Sequence, residues 1–513
     1  MAEQRLPLWT AEEMAAATRG HWLVRPPQRW DQVRVSYDIR GLTPGNFVIT
    51  TAPDSWGPGA KDTSLKLAQL AADGAVGAMI QKEQLPRLPS LPTTFPLLLV
   101  ESTRRGLRDL AEAARARFQG KVVAITGTVG KTSSREMLIH ALDKQGRAVG
   151  TRANNNNILG VCRTLSYVPR EYGFSVLEMG FGNPLNGLSI SSTIARPHVA
   201  LFTALSAAHF DVFPAEQLRA HGGMRLLADH KAQIFDGLAE GGVAVIHRDI
   251  EEFEIVRQRA RERTSRVWTY GETADCDARL LECGLRGDYT KVNADVRGVQ
   301  VEYKIRSPGR HMAMNSVGVL LASAAAGAEV ERAARGLESF EAVRGRARIG
   351  KIPVIGGLAT LIDDSFNAAP ASVKSSLELL QVVAATETGR RIAVLRDILH
   401  LGPDEQQIHR ELAEMVVRMK VDKLFTCGKL MKHLHDAIPE ANRGAHTKGL
   451  AELYDALTDY LRPGDVVTIK SGMGHGGLGD QGFLQLGRAL REGRNLFSEQ
   501  QDEQDDGGAR GPL

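Results

Sequence analysis

One run of residues, Gly127-Thr128-Val129-Gly130-Lys131-Thr132-Ser133, constrains this chain more than any other, because an apolar stretch precedes it and a helix-forming one follows. Val122 to Thr126 reads as a buried strand and Thr132 to Asp143 as a helix, so the glycines must form the turn between them. In that order, backbone N–H groups and the positive end of a helix converge on one point and favour an anion. Lys131 adds a full charge, and the Thr132 hydroxyl is an oxygen ligand for Mg²⁺. The segment Gly127, Thr128, Val129, Gly130, Lys131, Thr132 and Ser133 is therefore expected to cradle a polyphosphate. It is the short G-x-x-G-K-T form, since Ile125 stands where the longer phosphate loop has its first glycine. The alternative is a structural glycine turn beside a surface lysine.

At about 150 residues per domain, a chain of 513 residues contains more than one core. Apolar residues make up 43% and charged residues 24%, so most of it can bury enough surface to fold unaided. A net charge of +4 over this length leaves no basic stripe, which argues against a nucleic-acid partner. No apolar run reaches about 18 residues, and Glu3, Glu12 and Glu13 interrupt the start, so neither export nor membrane insertion is expected. The four cysteines form no C-x-x-C pair and read as reduced thiols of a cytoplasmic protein. With 52 glycines and 5% aromatics, the balance suits the many tight turns of an α/β fold.

The order of elements divides the chain. Thr10 to Glu13 is a capping box ahead of a helix, Met14 to Thr18. Strands at Val33–Tyr37, Phe47–Thr51, Ala78–Gln81 and Leu97–Val100, a helix at Lys61–Asp73 and a surface loop at Leu85–Pro96 make a small α/β domain over residues 1–119. A central domain over 120–343 holds the phosphate loop, strands at Ser175–Glu178, Val199–Thr203, Val243–His247, Arg266–Thr269 and Val299–Ile305, and a helix at His311–Ala326. From 344 to 496, strands and helices alternate evenly, which predicts a doubly wound parallel sheet. Residues 497–513 are acidic and read as a disordered tail.

Other candidates follow from position. Glu178 ends an apolar strand, and a buried charge needs a partner. His209 follows the next strand; a metal role and a hydrogen-bonded structural role are both open to it. Asn154 to Asn157 is a polar turn or a recognition segment. Gly472-Met473-Gly474-His475-Gly476-Gly477 matches a dinucleotide fingerprint, but too little chain follows it to supply the further strand and acid that such a site needs.

Taken together, these segments resemble the Mur ligases. Gly127 to Ser133 resembles that family's phosphate loop, and Asn154 to Gly160 its N-x-N-N-x-x-G segment. Leu177-Glu178-Met179-Gly180 and Ala208-His209 resemble its two metal-binding strand ends. His230-Lys231 is similar to the segment bearing a carbamylated lysine, Gly309-Arg310-His311 with Asn315 to the adenine-side motif, and Gly345-Arg346 to the domain junction. Asp363-Asp364-Ser365-Phe366-Asn367 through Pro370 and Ser372 resembles the signature of the branch that adds D-alanyl-D-alanine to a UDP-muramoyl tripeptide. Asp38-Ile39-Arg40 and Pro44-Gly45 resemble elements of that branch's uridine-binding domain.

The resemblance implies three α/β domains and an ATP-dependent, Mg²⁺-assisted ligase that forms an amide bond through an acyl phosphate in peptidoglycan precursor synthesis. It implies Lys131, His209 and Lys231 as catalytic groups, and Asn315, Arg346, Asp363 and Asp364 as further ATP contacts. Thr132, Glu178, His209 and Lys231 would hold metal. Asp38, Arg40, Asn154, Asn156, Asn157, Asn367 and Ser372 would meet the UDP-linked peptide or the amine, and the chain is expected to act as a monomer. Departures stand at Asp54 to Lys61, which lacks a D-G-H element, at Met312, Arg396 and His400, and at Ser471 to Gly477. They keep open a ligase for another acid and amine, and a non-catalytic nucleotide-binding homologue.

Overall fold

Short apolar strands separated by helices leave two faces to cover on each sheet, and the chain answers with three separate sheets flanked by helices. The computed structural model describes residues 8–27, 33–40, 42–57, 59–152, 155–180, 186–286, 289–384, 389–472 and 482–494. Asn154, the segment from Met473 to Gly477 and the predicted tail at 497–513 lie outside the described residues.

The first sheet holds β1 (His21–Val24), β2 (Arg34–Ser36), β3 (Asn46–Ile49), β4 (Gly77–Gln81) and β5 (Leu97–Val100), in the order β1-β5-β4-β3-β2. Strands β2 to β5 run parallel and β1 pairs antiparallel with β5. The expected capping box is present, with Thr10 accepting from Glu13 N, and its helix begins at Ala11. The single helix expected at Lys61–Asp73 is a 3₁₀ turn, Thr63–Lys66, followed by a short helix, Leu67–Ala72, with Asp62 capping the turn. Part of the expected surface loop, Leu85 to Arg87, belongs to a 3₁₀ helix anchored by buried Gln84, whose side chain accepts from Thr50 Oγ1 at 2.6 Å. Strand β1 and the helix Thr103–Arg117 are additions to the sequence reading. The strand lacks a fully buried face, which weakens its period-2 signal.

The central sheet runs β14-β13-β12-β11-β10-β9-β6-β8-β7, with β6 at Lys121–Thr126, β7 at Ala148–Gly150, β8 at Phe174–Glu178, β9 at Val199–Phe202, β10 at Val243–His247, β11 at Val267–Gly271, β12 at Ala278–Leu285, β13 at Thr290–Val296 and β14 at Val299–Ile305. Pairing is parallel from β7 to β12 and antiparallel beyond. Strands β6, β8 and β9 are buried on both faces and end side by side, so their C-terminal ends set one shared edge for polar groups. The helix Arg310–Ala325 is buried over Met312 to Ser323 and packs with Lys131–Asp143 in one core.

The third sheet contains β15 (Arg348–Val354), β16 (Gly357–Asp364), β17 (Arg391–Arg396), β18 (Lys423–Cys427), β19 (Arg443–Thr447) and β20 (Val466–Lys470), ordered β15-β16-β20-β17-β18-β19. The sheet is parallel except for β15, which joins β16 in an antiparallel hairpin across Ile355-Gly356. The expected parallel sheet is present from β16 to β19, with β15 added as an antiparallel edge strand. Residues of Pro353 and Gly357 type hid this edge hairpin from a reading of β-propensity.

The first two sheets share a hydrophobic core. Trp9 is 1% exposed, its Nε1 donates to Ser166 O at 2.7 Å, and the Arg117 guanidinium lies 3.7 Å from its ring centroid. Arg115 donates to Ala195 O at 2.6 Å and Arg196 O at 2.8 Å, capping carbonyls at the end of a central helix. Trp9→Ala removes packing, a hydrogen bond and a cation–π contact together. Urea unfolding is expected to register a loss of about 3–5 kcal/mol for this variant and a smaller one for Trp9→Phe.

Candidate active site

The turn after β6 admits only glycine at its two key positions. Gly127 has φ +142° and a Cβ there would lie 2.1 Å from Thr203 Oγ1; Gly130 has φ +88° and a Cβ would lie 2.8 Å from Asn315 Oδ1. The backbone N–H groups of Thr128 and Val129 donate to Ala204 O at 2.9 and 3.3 Å, which pins the turn to the end of β9. Lys131 folds back over it, its Nζ donating to Gly127 O at 2.8 Å and Thr128 O at 2.9 Å. Burial lowers the Lys131 ammonium to about 8, with Arg346 adding to the shift and Glu178 opposing it. The Thr128 hydroxyl is buried without a hydrogen-bond partner among the described residues. Glycine backbone, a desolvated cation and an unsatisfied hydroxyl at a helix N-terminus fit a polyphosphate.

Glu178, 1% exposed at the end of β8, organises the next layer. Its Oε1 accepts from Thr132 Oγ1 at 3.2 Å and from Asn156 Nδ2 at 2.9 Å, and its Oε2 from Arg135 Nη1 at 3.0 Å. Arg135 is absent from the sequence reading; it lies one turn beyond Lys131 on the same helix, a spacing that could have drawn attention to it. Asn156 therefore serves the carboxylate, and Gly180 is needed beside it because a Cβ would lie 2.5 Å from Asn156 Oδ1. Asn157 is the N-cap of Ile158–Ser166, accepting from Gly160 N at 2.9 Å. Its side-chain oxygen is engaged in that helix cap.

A hydroxyl and a carboxylate oxygen on one edge of the loop are the hard donors that Mg²⁺ takes, alongside phosphate oxygens. Among the described residues no three His, Cys, Asp or Glu side chains gather as a ready cage. An ion here fits only as a partner of bound phosphate.

Lys231, near the end of the helix Gly223–Ala232, is 1% exposed. Burial and the charge of Lys131 push its ammonium well below the ordinary lysine range, against the pull of Glu178. His209, in the left-handed region at φ 59°, has its imidazole lowered to about 3 by burial, reinforced by Lys231 and Lys131. Burial thus favours the neutral form of both side chains, the form in which an amine is a nucleophile and an imidazole a ligand.

The facing wall comes from the third sheet. Arg346 donates from Nη2 to Thr132 Oγ1 at 3.2 Å and stacks at 4.1 Å over the Phe366 ring. Lys470, 2% exposed, donates to Asp364 Oδ2 at 2.6 Å and to Asn367 O at 3.0 Å. These groups, with Asn315, His311 and Ser372, line a cleft of about 210 Å³ against the phosphate loop. Asn367 and Ser372 also brace their own loop, through Ala368 N to Asn367 Oδ1 and Ala369 N to Ser372 Oγ, each at 2.9 Å. Lys470, immediately before the divergent segment Ser471 to Gly477, is a site residue that sequence reasoning did not single out.

Asp363 is fully buried, accepts from Arg491 Nη1 at 2.7 Å and from the Ser365 hydroxyl, and is not among the residues that line the cleft. Neighbouring residues on a strand point to opposite faces, so only Asp364 faces the site. Asp38 and Arg40 lie apart from the cleft, on the loop after β2, paired with each other at 3.0 Å. Burial alone would raise the Asp38 carboxyl, but Arg40 holds it below the ordinary range.

Comparison with known proteins places these features in context. Residues 125–325 match the Mur ligase middle domain, and residues 345–473 match the Mur ligase glutamate ligase domain. The UDP-N-acetylmuramoyl-tripeptide--D-alanyl-D-alanine ligase of Escherichia coli is 27% identical over 85% of this chain and 89% of its own length. The enzyme of the same name from Bacillus subtilis is 28% identical over 75% of this chain and 80% of its own. In fold, the chain is similar to MurF from Acinetobacter baumannii, with a TM-score of 0.77, 23% identity, and coverage of 95% of this chain and 99% of that one. It is also similar to MurF ligase from Thermotoga maritima in complex with ADP, with a TM-score of 0.69, 19% identity, and coverage of 90% and 98%.

Two outcomes are expected from the geometry. Asp363→Ala and Arg491→Ala break a buried pair away from the cleft, so urea unfolding should show stability falling, by about 3 kcal/mol for the aspartate, while ADP titration gives an affinity within about twofold of wild type. Burial also lowers His198, His230 and His311 to about 4 and His209 to about 3, against 6.5 ordinarily. Stability held by these neutral rings is complete above about pH 6.5 and is lost as pH falls toward their folded values, because the unfolded chain binds the protons first. Melting temperature should therefore drop between pH 7 and pH 5, with a shallower slope in His198→Asn.

Proposed function

The chain belongs to the Mur ligase family, and from that premise we propose that it joins D-alanyl-D-alanine to a UDP-N-acetylmuramoyl tripeptide, converting ATP to ADP and phosphate. The observation that carries this reading is the Thr132 hydroxyl, which donates to Glu178 at 3.2 Å and accepts from Arg346 at 3.2 Å. Through it, a carboxylate of the central sheet and a guanidinium of the third meet at the phosphate loop.

The chemistry explains why such a meeting is needed. Amide formation from a carboxylate and an amine in water is uphill, so the carboxylate oxygen first attacks the γ-phosphorus and ADP departs. Substrate carboxylate and γ-phosphate are both anions, and at 4 Å each pair of unit charges repels by about 4 kcal/mol at an effective dielectric of about 20. In this proposal Lys131 sits between the β- and γ-phosphates and offsets that repulsion, and Arg346 closes over the same phosphates. Mg²⁺, held by Thr132 and Glu178, with a second ion at His209 and a carbamylated Lys231, would supply further neutralisation of phosphate charge. The low proton affinity of Lys231 supports its modification, because carbon dioxide adds to a neutral amine, whose nitrogen gives up a proton to solvent and becomes part of a carboxylate-like carbamate.

The amine then attacks the acyl carbon, phosphate leaves, and the nitrogen gives up a proton. Enclosure by both sheets keeps water from competing for the acyl phosphate. Asn315 is assigned to the adenine side, where its amide already abuts Gly130. Asp38 and Arg40 are assigned to the UDP moiety, and Asn367 with Ser372 to the loop that shapes the amine pocket. The proposal includes a monomer acting in the cytoplasm. No helix among the described residues is long and apolar enough to cross a membrane.

A second reading keeps the chemistry and changes the amine. It is favoured by Lys470, which is held by Asp364 and Asn367 at the head of the divergent Ser471–Gly477 segment. Incubation with ATP, Mg²⁺, the UDP-linked tripeptide and D-alanyl-D-alanine decides between them. The expected result is stoichiometric phosphate and UDP-linked pentapeptide, with turnover at least about 100-fold lower in Lys131→Ala. Phosphate release that responds to other amines but not to D-alanyl-D-alanine would favour the second reading. A wild type that binds ATP yet forms no amide with any amine would make it a nucleotide-binding homologue.

A further inference from the structure

We propose that His400 and Asp211 are positioning residues that latch the third sheet onto the central one and so orient His209 in the cleft. The inference rests on the ligase reading for its kinetic consequence, though not for its geometry.

Two short loops meet here. One follows β9 and carries His209, Phe210 and Asp211; the other follows β17 and carries His400, Leu401 and Gly402. They join at three points. Phe210 N donates to His400 O at 2.9 Å, His400 Nδ1 lies 2.6 Å from Asp211 Oδ2, and the rings of His209 and His400 stack with centroids 5.8 Å apart and planes inclined by 24°. A carboxylate has no proton to give, so His400 Nδ1 is the donor, and the hydrogen bond is charge-assisted. Gly402, at φ +76°, lets the second loop pass close to Phe210, since a Cβ there would lie 3.1 Å from Phe210 Cβ.

The backbone argues that this contact is built rather than incidental. His209 and His400 both adopt left-handed conformations, at φ 59° and 64°, which are uncommon for non-glycine residues. The His400 loop is anchored on its own side: Ile398 and Leu401 are fully buried, and Ile398 N donates to His409 Nε2 at 3.0 Å. A rigid loop of one sheet therefore presents an imidazole to a residue adjoining the cleft on the other. Because His209 precedes Phe210 and stacks on His400, loss of the latch frees both the sheet and the imidazole together.

The test uses the full chain as wild type, His400→Ala and His400→Asn; asparagine accepts the left-handed backbone and retains a donor. Small-angle scattering with ADP present should give a larger radius of gyration for His400→Ala and a wild-type value for His400→Asn. In the ligase assay, kcat should fall about tenfold in His400→Ala, because His209 loses its orientation, while KM for ATP changes less than about twofold, with His400→Asn restoring most of the loss. Unchanged scattering in a folded His400→Ala overturns the latch, whatever the substrates are. An unchanged kcat in a folded His400→Ala, or a loss that His400→Asn does not restore, overturns its positioning role. A wild type without ligase activity but with an expanded His400→Ala removes the ligase reading and leaves the latch supported.

Discussion

The structure depends on a buried carboxylate held among cations. Glu178 would be costly at the end of a fully enclosed strand, and Arg135, Asn156 and Thr132 together satisfy both of its oxygens. Its charge in turn is felt by Lys131 and Lys231, two buried amines that would otherwise only repel each other. Around this point the parallel strands β6, β7, β8 and β9 end at one edge of the sheet, and the glycine turn after β6, the Asn156 loop after β7 and the His209 loop after β9 all start there. A chemistry that brings two anions together needs such a concentration of positive charge. A fold that buries it needs the carboxylate.

The third sheet completes the arrangement through the junction at residues 345–347. Gly345 and Ala347 are both left-handed, at φ +74° and +60°, and between them the chain turns Arg346 toward Thr132. A Cβ at Gly345 would lie 2.8 Å from Leu484 and 3.2 Å from Phe366, so the junction is wedged against its own sheet. The strain of Ala347 and the stacking of Arg346 on Phe366 belong to one device, which fixes a long side chain across the gap between sheets.

Much of this was legible in the sequence where one residue type is physically obligatory. The phosphate loop is such a case, since its glycines answer clashes with Thr203 and Asn315 that no other residue avoids. Glu178 was legible because a charge closing an apolar strand has to be paired. Pairing choices were not legible: Asp363 and Asp364 are adjacent and chemically alike, and only the strand's orientation sends one to Arg491 and the other to Lys470. Asn156 and Asn157 divided in the same way, one to the carboxylate and one to a helix cap. Strands β1, β12, β13 and β15 escaped because the reading followed long apolar runs. The alternation of Lys291, Asn293 and Asp295 with Val292, Ala294 and Val296 was nonetheless present in β13.

The central claim is that the cradle after β6 delivers a phosphoryl group to a carboxylate before any amine is joined. Isotopic labelling of the oxygens of the reacting carboxylate tests this most directly, with mass analysis of the phosphate released during amide formation. If the carboxylate oxygen attacks phosphorus, one labelled oxygen leaves with every phosphate. Phosphate that carries no label while the amide product accumulates would contradict the account.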